Sequence, residues 1–319
     1  MNPPRGRFAP SPTGEMHLGN AWAAFLAWLY IRSQGGEMIL RVEDLDPDRS
    51  RRPYVDLLMQ DMKWLGLDWD EGPDIGGPYE PYYQSQRCDL YQTALAKLEG
   101  DGHLYPCYCS RAELQAVTMA PHAGDINNPY TGACRTLSDQ ERERRASQRK
   151  PALRLAVPDN EVITFYDGLQ GEVSQALRQE CGDFIVRRSD GVHAYQLAVT
   201  VDDALMKMSH VVRGDDLLSS TPRQIYLYKL LNFTIPKFVH VPLLYGEDGH
   251  RLSKRHGSLS LYSMRNRGIQ PEKIVGFLAW KSGQTKRWES LKPKELVHHF
   301  RLGDIPCSPI IVENVDQFS

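Results

Sequence analysis

At 319 residues with 41% hydrophobic and 24% charged side chains, the chain has the composition of a folded protein with a sizeable core, which excludes extended disorder and a small disulfide-stapled module. Its formal net charge of −2 supplies no whole-molecule attraction for nucleic acid, so such a contact would rest on local basic runs, RERRASQRK at 142–150 or HRLSKRH at 250–256. No apolar run approaches the roughly 18 residues of a membrane span and the N-terminal MNPPRGRFAP holds no signal-peptide core, so the expected compartment is the cytoplasm, where the 6 cysteines stay reduced.

Residues 5–9 read as a short strand and 18–34 as a helix stopped by Gly35-Gly36. EMILRVED at 37–44 follows as a second, mostly apolar strand, and strand–helix–strand is the start of a parallel α/β sheet. Amphipathic spacing predicts helices over 54–67 and 86–102, the second ended by glycine. From about 105 to 190 the pattern changes to a cysteine-containing turn, a polar helix at 138–150 and alternating β segments, which reads as an insertion. Regular order returns with a strand at 209–216 and a helix at 221–231, and short helical segments from 258 onward read as a small appendage. The expected division is 1–104 and 191–257 as two halves of one α/β domain, with 105–190 inserted and 258–319 appended. The basic run at 142–150 is first of all a solvated helix face.

Between the first strand and the first helix lies FAPSPTGEMHLGN, residues 8–20. A strand turning sharply through Pro and Gly into a helix leaves the first N–H groups of that helix pointing outward, where an anion binds with the help of the dipole. His17, at the helix start, is placed to donate a hydrogen bond to a phosphate oxygen as charge builds in a transition state. A plain helix cap is the competing explanation of the same letters.

Cys107-x-Cys109 and Tyr130-x-x-x-Cys134 bring together three thiols and a phenol. Zinc takes four ligands at tetrahedral geometry, so the spacing points to a structural zinc, with His103 or His122 the ordinary fourth ligand; three buried free cysteines are the alternative. Cys88, Cys181 and Cys307 are isolated and read as small apolar residues.

The run Arg7–Gly14 with MHLG at 16–19 resembles the HIGH signature of class I aminoacyl-tRNA synthetases, and specifically its glutamyl branch. RLSKR at 251–255, between Gly249 and Gly257, resembles the second signature of that class, KMSKS; Arg251 and Arg255 replace the usual end residues while Ser253-Lys254 is kept. KMSH at 207–210 is closer by letters but abuts an apolar strand, which leaves no room for a phosphate-binding loop. RVEDLDPDRS, YPCYCS, AYQLAVTVDDALM and HVVRGDDLLSSTPRQ extend the resemblance over nearly the whole chain.

The resemblance implies a Rossmann-like parallel sheet carrying a zinc-containing α+β insertion and a short C-terminal helical region. It implies His17 and Lys254 as catalytic residues; Pro10, Thr13, Gly14, His17, Gly19, Asn20, Ser253 and Lys254 as the ATP site; and Mg²⁺ as counter-ion of the triphosphate. For L-glutamate it implies Arg7, Ser11, Glu43, Tyr195 and Arg213. Guanidinium forks suit the side-chain carboxylate, while Glu43 and the Ser11 and Tyr195 hydroxyls suit the α-ammonium. A buried arginine at 213 also penalises the neutral amide of glutamine. Relatives place a Cys-x-Cys, Tyr, Cys set where this chain has Cys107, Cys109, Tyr130 and Cys134, so Tyr130 is the implied fourth zinc ligand. Val199 departs from the Asn common at its position, which is expected to weaken glutamate affinity.

Full-length glutamyl-tRNA synthetases continue beyond the KMSKS loop into helical domains that read the anticodon, whereas 65 residues follow Lys254 here. The expectation is a catalytic core with no anticodon-binding domain and no obligate protein partner. It is similar to the stand-alone branch of the family that esterifies glutamate to the queuosine base in the anticodon loop of tRNA(Asp). A minimal enzyme charging the 3′ end of tRNA(Glu) is the alternative. A nucleotidyltransferase making a dinucleotide would share the His17 motif but has no need of Arg7, Glu43, Tyr195 and Arg213 together, and an inactive binding module is at odds with intact His17 and Lys254.

Overall fold

The computed structural model describes residues 3–110, 130, 132–252 and 260–312. In chain order, β1 (Arg5–Phe8), α1 (Leu18–Arg32), β2 (Glu37–Leu40), α2 (Arg52–Trp64) and α3 (Cys88–Gly100) form the first stretch. Then come β3 (Leu104–Cys107), α4 (Asp139–Ala146), β4 (Ala152–Leu155), β5 (Val162–Asp167), β6 (Gly171–Ala176), α5 (Leu177–Glu180) and β7 (Phe184–Arg187). They are followed by α6 (Tyr195–Leu205), β8 (His210–Gly214), α7 (Thr221–Leu231), β9 (Lys237–Val241) and β10 (Leu244–Gly246). The described chain closes with α8 (Leu261–Asn266), α9 (Pro271–Lys281), α10 (Pro293–Leu296) and β11 (Ile310–Val312).

Two parallel pairs joined by helical crossovers build the centre. β1 pairs with β2, Arg5 opposite Glu37 through Phe8 opposite Leu40, with α1 as the connection; β8 pairs with β9, with α7 as the connection. Arg5 and Ser209 stitch the pairs together: the Arg5 N–H donates to Ser209 Oγ (2.8 Å) and the Ser209 N–H to the Arg5 carbonyl (3.0 Å). KMSH thus abuts the apolar strand β8, whose first residue is His210, as the sequence suggests. α1 is apolar nearly all round, with 10 of its 15 residues buried, because it packs on β1 and β8 on one side and on α9 and α10 on the other.

The sheet is mixed rather than purely parallel. β5 joins β9 in parallel through Asp167 opposite Phe238, and β6 returns antiparallel to β5, giving the order β6-β5-β9-β8. Part of the segment read as an insertion therefore forms the edge of the central sheet. The rest makes a separate antiparallel sheet, β3-β4-β7. Its anchor is the fully buried Asp183, which accepts from Tyr105 Oη (2.6 Å), Arg178 Nη1 (2.6 Å) and the Val157 N–H (2.8 Å).

The segment read as an appendage shares the first core. Ile274, Phe277, Leu278, Leu296 and Ile310 pack in one cluster with Trp22, Phe25 and Trp28, and β11 pairs with β10. Of the short helical segments expected from 258 onward, KPKELVHHF at 292–300 forms only the single turn Pro293–Leu296. Among the described residues no helix is long and apolar enough to cross a membrane.

A buried ionic network joins α3, α6, β1 and the chain just beyond β2. Asp202 accepts from Arg87 Nε (2.6 Å), Gln84 Nε2 (2.8 Å) and Tyr91 Oη (2.8 Å), and its neighbour Asp203 takes Arg7 and Arg41. Removing one partner of such a cluster strands the others in low dielectric. Asp202→Ala is therefore expected to lower the unfolding free energy by about 3–5 kcal/mol, measured as a shift of the urea midpoint; a shift below about 1 kcal/mol would show the cluster to be energetically idle.

Candidate functional site

A cavity of about 450 Å³ opens at the C-terminal ends of β1 and β8, where open α/β sheets place their ligands. Its walls include Arg7, Pro10, Ser11, Thr13, Gly14, His17, Gly19, Asn20, Glu43, Tyr195, Arg213 and Arg251. All described residues of the expected ATP and glutamate sites thus meet in one place. Ser253 and Lys254 lie outside the described residues.

The turn after β1 delivers His17 to the N-cap of α1 in extended conformation (φ −104°, ψ 170°). Its N–H donates to Asn20 Oδ1 (3.2 Å), while its carbonyl accepts from the N–H groups of Asn20 (2.9 Å) and Ala21 (3.0 Å). Gly19 leaves the space that the imidazole occupies: a Cβ there would stand 3.2 Å from His17 Nδ1 and Cε1 and 3.5 Å from the Leu252 carbonyl. The Leu261 N–H bonds the Met16 carbonyl (2.8 Å), and Ser260 pairs with His17. Both flanks of 253–259 are therefore held against the first turn of α1.

Beyond Leu40, where β2 ends, the chain goes on running beside β1 and its continuation. The N–H groups of Arg41 and Glu43 turn to the carbonyls of Phe8 and Pro10 (3.0 Å each), and that of Val42 to Tyr82 (2.9 Å). This carries Glu43 to the cavity wall, where Arg41 Nη2 donates to its Oε1 (3.0 Å). Burial pushes the Glu43 carboxyl above its ordinary range, against the pull of Arg41 and Arg7.

The two arginines of the expected glutamate site are electrostatically unlike. Burial opposes the charge of Arg7, but Asp203, bonded to its Nε at 3.0 and 3.2 Å, outweighs that and holds the pKa above its ordinary value. Arg213 is equally buried and makes no ion pair among the described residues; burial pulls its pKa down. Its Nε donates to His240 Nε2 (3.0 Å) and its Nη2 to Thr221 Oγ1 (2.7 Å) and Gln224 Oε1 (2.8 Å), all neutral acceptors. Among the described residues Nη1 is buried without a hydrogen-bond partner. A buried cation in this state has a strong preference for an anionic ligand. Tyr195, at the start of α6, closes the same wall, whereas Val199, one turn on, is buried and does not line the cavity.

A second cavity of about 420 Å³ shares Ser11, Thr13, Glu43 and Tyr195 with the first and continues past Arg49, Arg188 and His193.

Cys107, Cys109 and Cys134 converge, their sulfurs within 4.8 Å of one another. Cys109 and Cys134 Sγ are 3.5 Å apart, close to the about 3.8 Å of two thiolates on one tetrahedral zinc. Tyr130 Oη lies 3.5 Å from Cys107 and Cys109 Sγ, with the Arg154 guanidinium 3.8 Å over its ring. The three thiols are a donor set that suits zinc, and the Tyr130 hydroxyl lies beside them. No histidine joins the cluster among the described residues, and His122 lies outside them. The first part of the basic run at 142–150 lies on α4, which buries nothing and spends Arg144 and Arg145 on Glu141 (2.7 and 2.6 Å), as a solvated face does.

Asp203, Thr221, Gln224, His240 and Asp167 also shape the site and were not anticipated. Their signal was available only as polar residues inside otherwise apolar elements, such as His240 in KFVHV.

Residues 5–302 match the family described as tRNA synthetases class I (E and Q), catalytic domain. The chain is 52% identical over 307 residues to a glutamyl-Q tRNA(Asp) synthetase of Symbiobacterium thermophilum, covering 96% of this chain and 94% of that protein. It is 51% identical over 309 residues to a protein of the same name from Nitratidesulfovibrio vulgaris, covering 96% and 95%. Among solved structures, the glutamate-tRNA synthetase of Elizabethkingia anophelis superposes with a TM-score of 0.86 at 26% identity, covering 99% of this chain and 69% of that one.

Proposed function

The chain belongs to the class I tRNA synthetases of the glutamate and glutamine type, and on that premise we propose that it joins L-glutamate, at the expense of ATP, to the queuosine base in the anticodon loop of tRNA(Asp). The observation that carries the choice of amino acid is Arg213: buried and, among the described residues, unpaired by any carboxylate and with Nη1 unsatisfied. The glutamate side chain supplies the missing anion, with Arg7 beside it, and Glu43, Ser11 and Tyr195 receive the α-ammonium. Activation is attack of the α-carboxylate on the α-phosphorus of ATP with loss of pyrophosphate. The protein forms no covalent bond, so catalysis is positioning and charge stabilisation by the α1 N-terminus and His17 on one side and Lys254 on the other. Pro10, Thr13, Gly14, Gly19, Asn20 and Ser253 complete the nucleotide site, and Mg²⁺ would accompany the triphosphate and neutralise part of its charge.

The acceptor reading rests on the near full-length relatives that carry the glutamyl-Q name, against partial coverage of the glutamate-tRNA synthetase. A hydroxyl of the queuosine cyclopentenediol then attacks the glutamyl carbonyl and AMP leaves. The vicinal diol stands in for that of a terminal ribose, and the second cavity is its entry. In this reading 1–104 and 191–257 are the catalytic halves, 105–190 meets the acceptor, 258–319 supports the RNA-facing side, and the enzyme works in the cytoplasm.

The deciding experiment follows labelled glutamate into tRNA(Asp) with and without queuosine, and into tRNA(Glu). Labelling of queuosine-containing tRNA(Asp) alone, abolished by periodate cleavage of the diol, is expected. Labelling of tRNA(Glu) would overturn the acceptor assignment.

Zinc bound by Cys107, Cys109, Tyr130 and Cys134 would fold the β3-β4-β7 region without touching the reacting atoms. Elemental analysis of the purified protein is expected to find about one zinc per chain, lost in Cys134→Ala together with protease resistance of that region. A zinc-free wild type of equal resistance would reduce the cluster to three buried thiols.

A further inference from the structure

We infer that Asp167 and His240 form a positioning dyad that holds the Arg213 guanidinium for the substrate's side-chain carboxylate and so maintains the preference for glutamate over glutamine. This rests on the reading of Arg213 given above. Asp167, at the end of β5, and His240, in the neighbouring strand β9, are both fully buried and 73 positions apart in the chain. His240 Nδ1 lies 2.7 Å from Asp167 Oδ2. The same carboxylate accepts the backbone N–H groups of Leu169 (3.0 Å), Gln170 (2.9 Å) and His240 (3.1 and 3.2 Å).

A carboxylate surrounded by donors stays ionised. Burial opposes its charge, yet the His240 ring and the backbone N–H groups outweigh that and hold its pKa below the usual range. An ionised carboxylate only accepts, so Nδ1 must carry the imidazole proton. Burial keeps the ring neutral, with the pKa pulled below its ordinary value. Nε2 therefore presents a lone pair, and the Arg213 Nε–H donates to it at 3.0 Å. Phe238 stacks on the ring at 6.1 Å and 13°, which fixes the plane of that lone pair.

The consequence is chemical as well as geometric. Holding the arginine by a carboxylate, as Asp203 holds Arg7, would spend its charge inside the protein. Holding it by a neutral imidazole, with the negative charge one ring further back, fixes the fork and leaves the charge for the ligand. Thr221 and Gln224 fix Nη2 in the same neutral way, so Nη1 alone remains to be satisfied.

The dyad is tested by glutamate- and glutamine-dependent ATP–pyrophosphate exchange in the full chain. In Asp167→Asn the amide cannot accept on both sides, so either the backbone donors or the imidazole tautomer must give way and an N–H can face the Arg213 Nε–H. His240→Leu removes the acceptor outright, and His240→Gln keeps one at similar reach. Asp167→Asn and His240→Leu are expected to raise the glutamate KM at least about tenfold and to narrow the glutamate/glutamine ratio, while the ATP KM moves less than about twofold. His240→Gln is expected to recover part of the loss. Folded variants with unchanged glutamate KM, or with glutamate and ATP affected alike, would overturn the dyad. A wild type without glutamate-dependent exchange would instead overturn the functional reading, and the dyad with it.

Discussion

Arg213→Ala is expected to lower kcat/KM for glutamate in pyrophosphate exchange by about a hundredfold or more while leaving the ATP KM within about twofold. The size follows from what the substitution removes. The guanidinium is buried, its three bonded acceptors are neutral, and Nη1 has no partner, so its charge is reserved for the ligand. Charge-assisted bonds in such surroundings contribute about 2–5 kcal/mol when one partner is truncated. Alanine leaves a void that water fills, which satisfies His240, Thr221 and Gln224 but gives a carboxylate no counter-charge. Arg213→Gln separates charge from shape: it retains a donor, so glutamine is expected to gain relative to glutamate. Exchange at wild-type glutamate KM in Arg213→Ala would remove this residue from the site and leave Arg7, already committed to Asp203, as the sole candidate.

The local devices of the site were legible in the sequence because they are local. The strand–turn–helix at 5–32 follows from apolar runs separated by Pro and Gly, and it places His17 at the α1 N-terminus as read. What lay beyond the sequence is pairing at a distance. The segment 162–176 alternates as a strand should, but nothing in its letters says that Asp167 will sit opposite Phe238, and that register is what brings Asp167 to His240. The same holds for the C-terminal helices. Their apolar faces were evident, yet a shared core with Trp22 and Trp28 is decided by tertiary packing, so a region read as an appendage is part of the wall behind α1. The strand read over 37–44 is regular only to Leu40, yet Arg41 and Glu43 still bond to Phe8 and Pro10, and this continued run beside the first strand is what delivers Glu43 to the cavity.

His17→Ala is expected to act on the chemical step rather than on binding, with kcat for adenylate formation falling about 10²–10³-fold and the glutamate KM nearly unchanged. The imidazole stands at the first turn of α1, where His17, Gly19 and Asn20 line the cavity, and in the proposed reaction negative charge grows there on the phosphate oxygens as pyrophosphate departs. Ground-state triphosphate is held by many groups, so losing one costs little affinity; the charge that develops in the transition state depends on the donors aimed at it. Gly19→Ala makes this a test of position as well as identity. A Cβ there would crowd His17 Nδ1 and Cε1 at 3.2 Å, so the ring must shift by a few tenths of an ångström with its chemistry intact. A smaller loss in kcat, on the order of tenfold, is expected from such a displacement. If Gly19→Ala lost as much as His17→Ala, the glycine would be needed for close approach of the nucleotide itself; if His17→Ala raised the ATP KM and spared kcat, the imidazole would be a binding group, and transition-state stabilisation would fall to the helix N-terminus and Lys254.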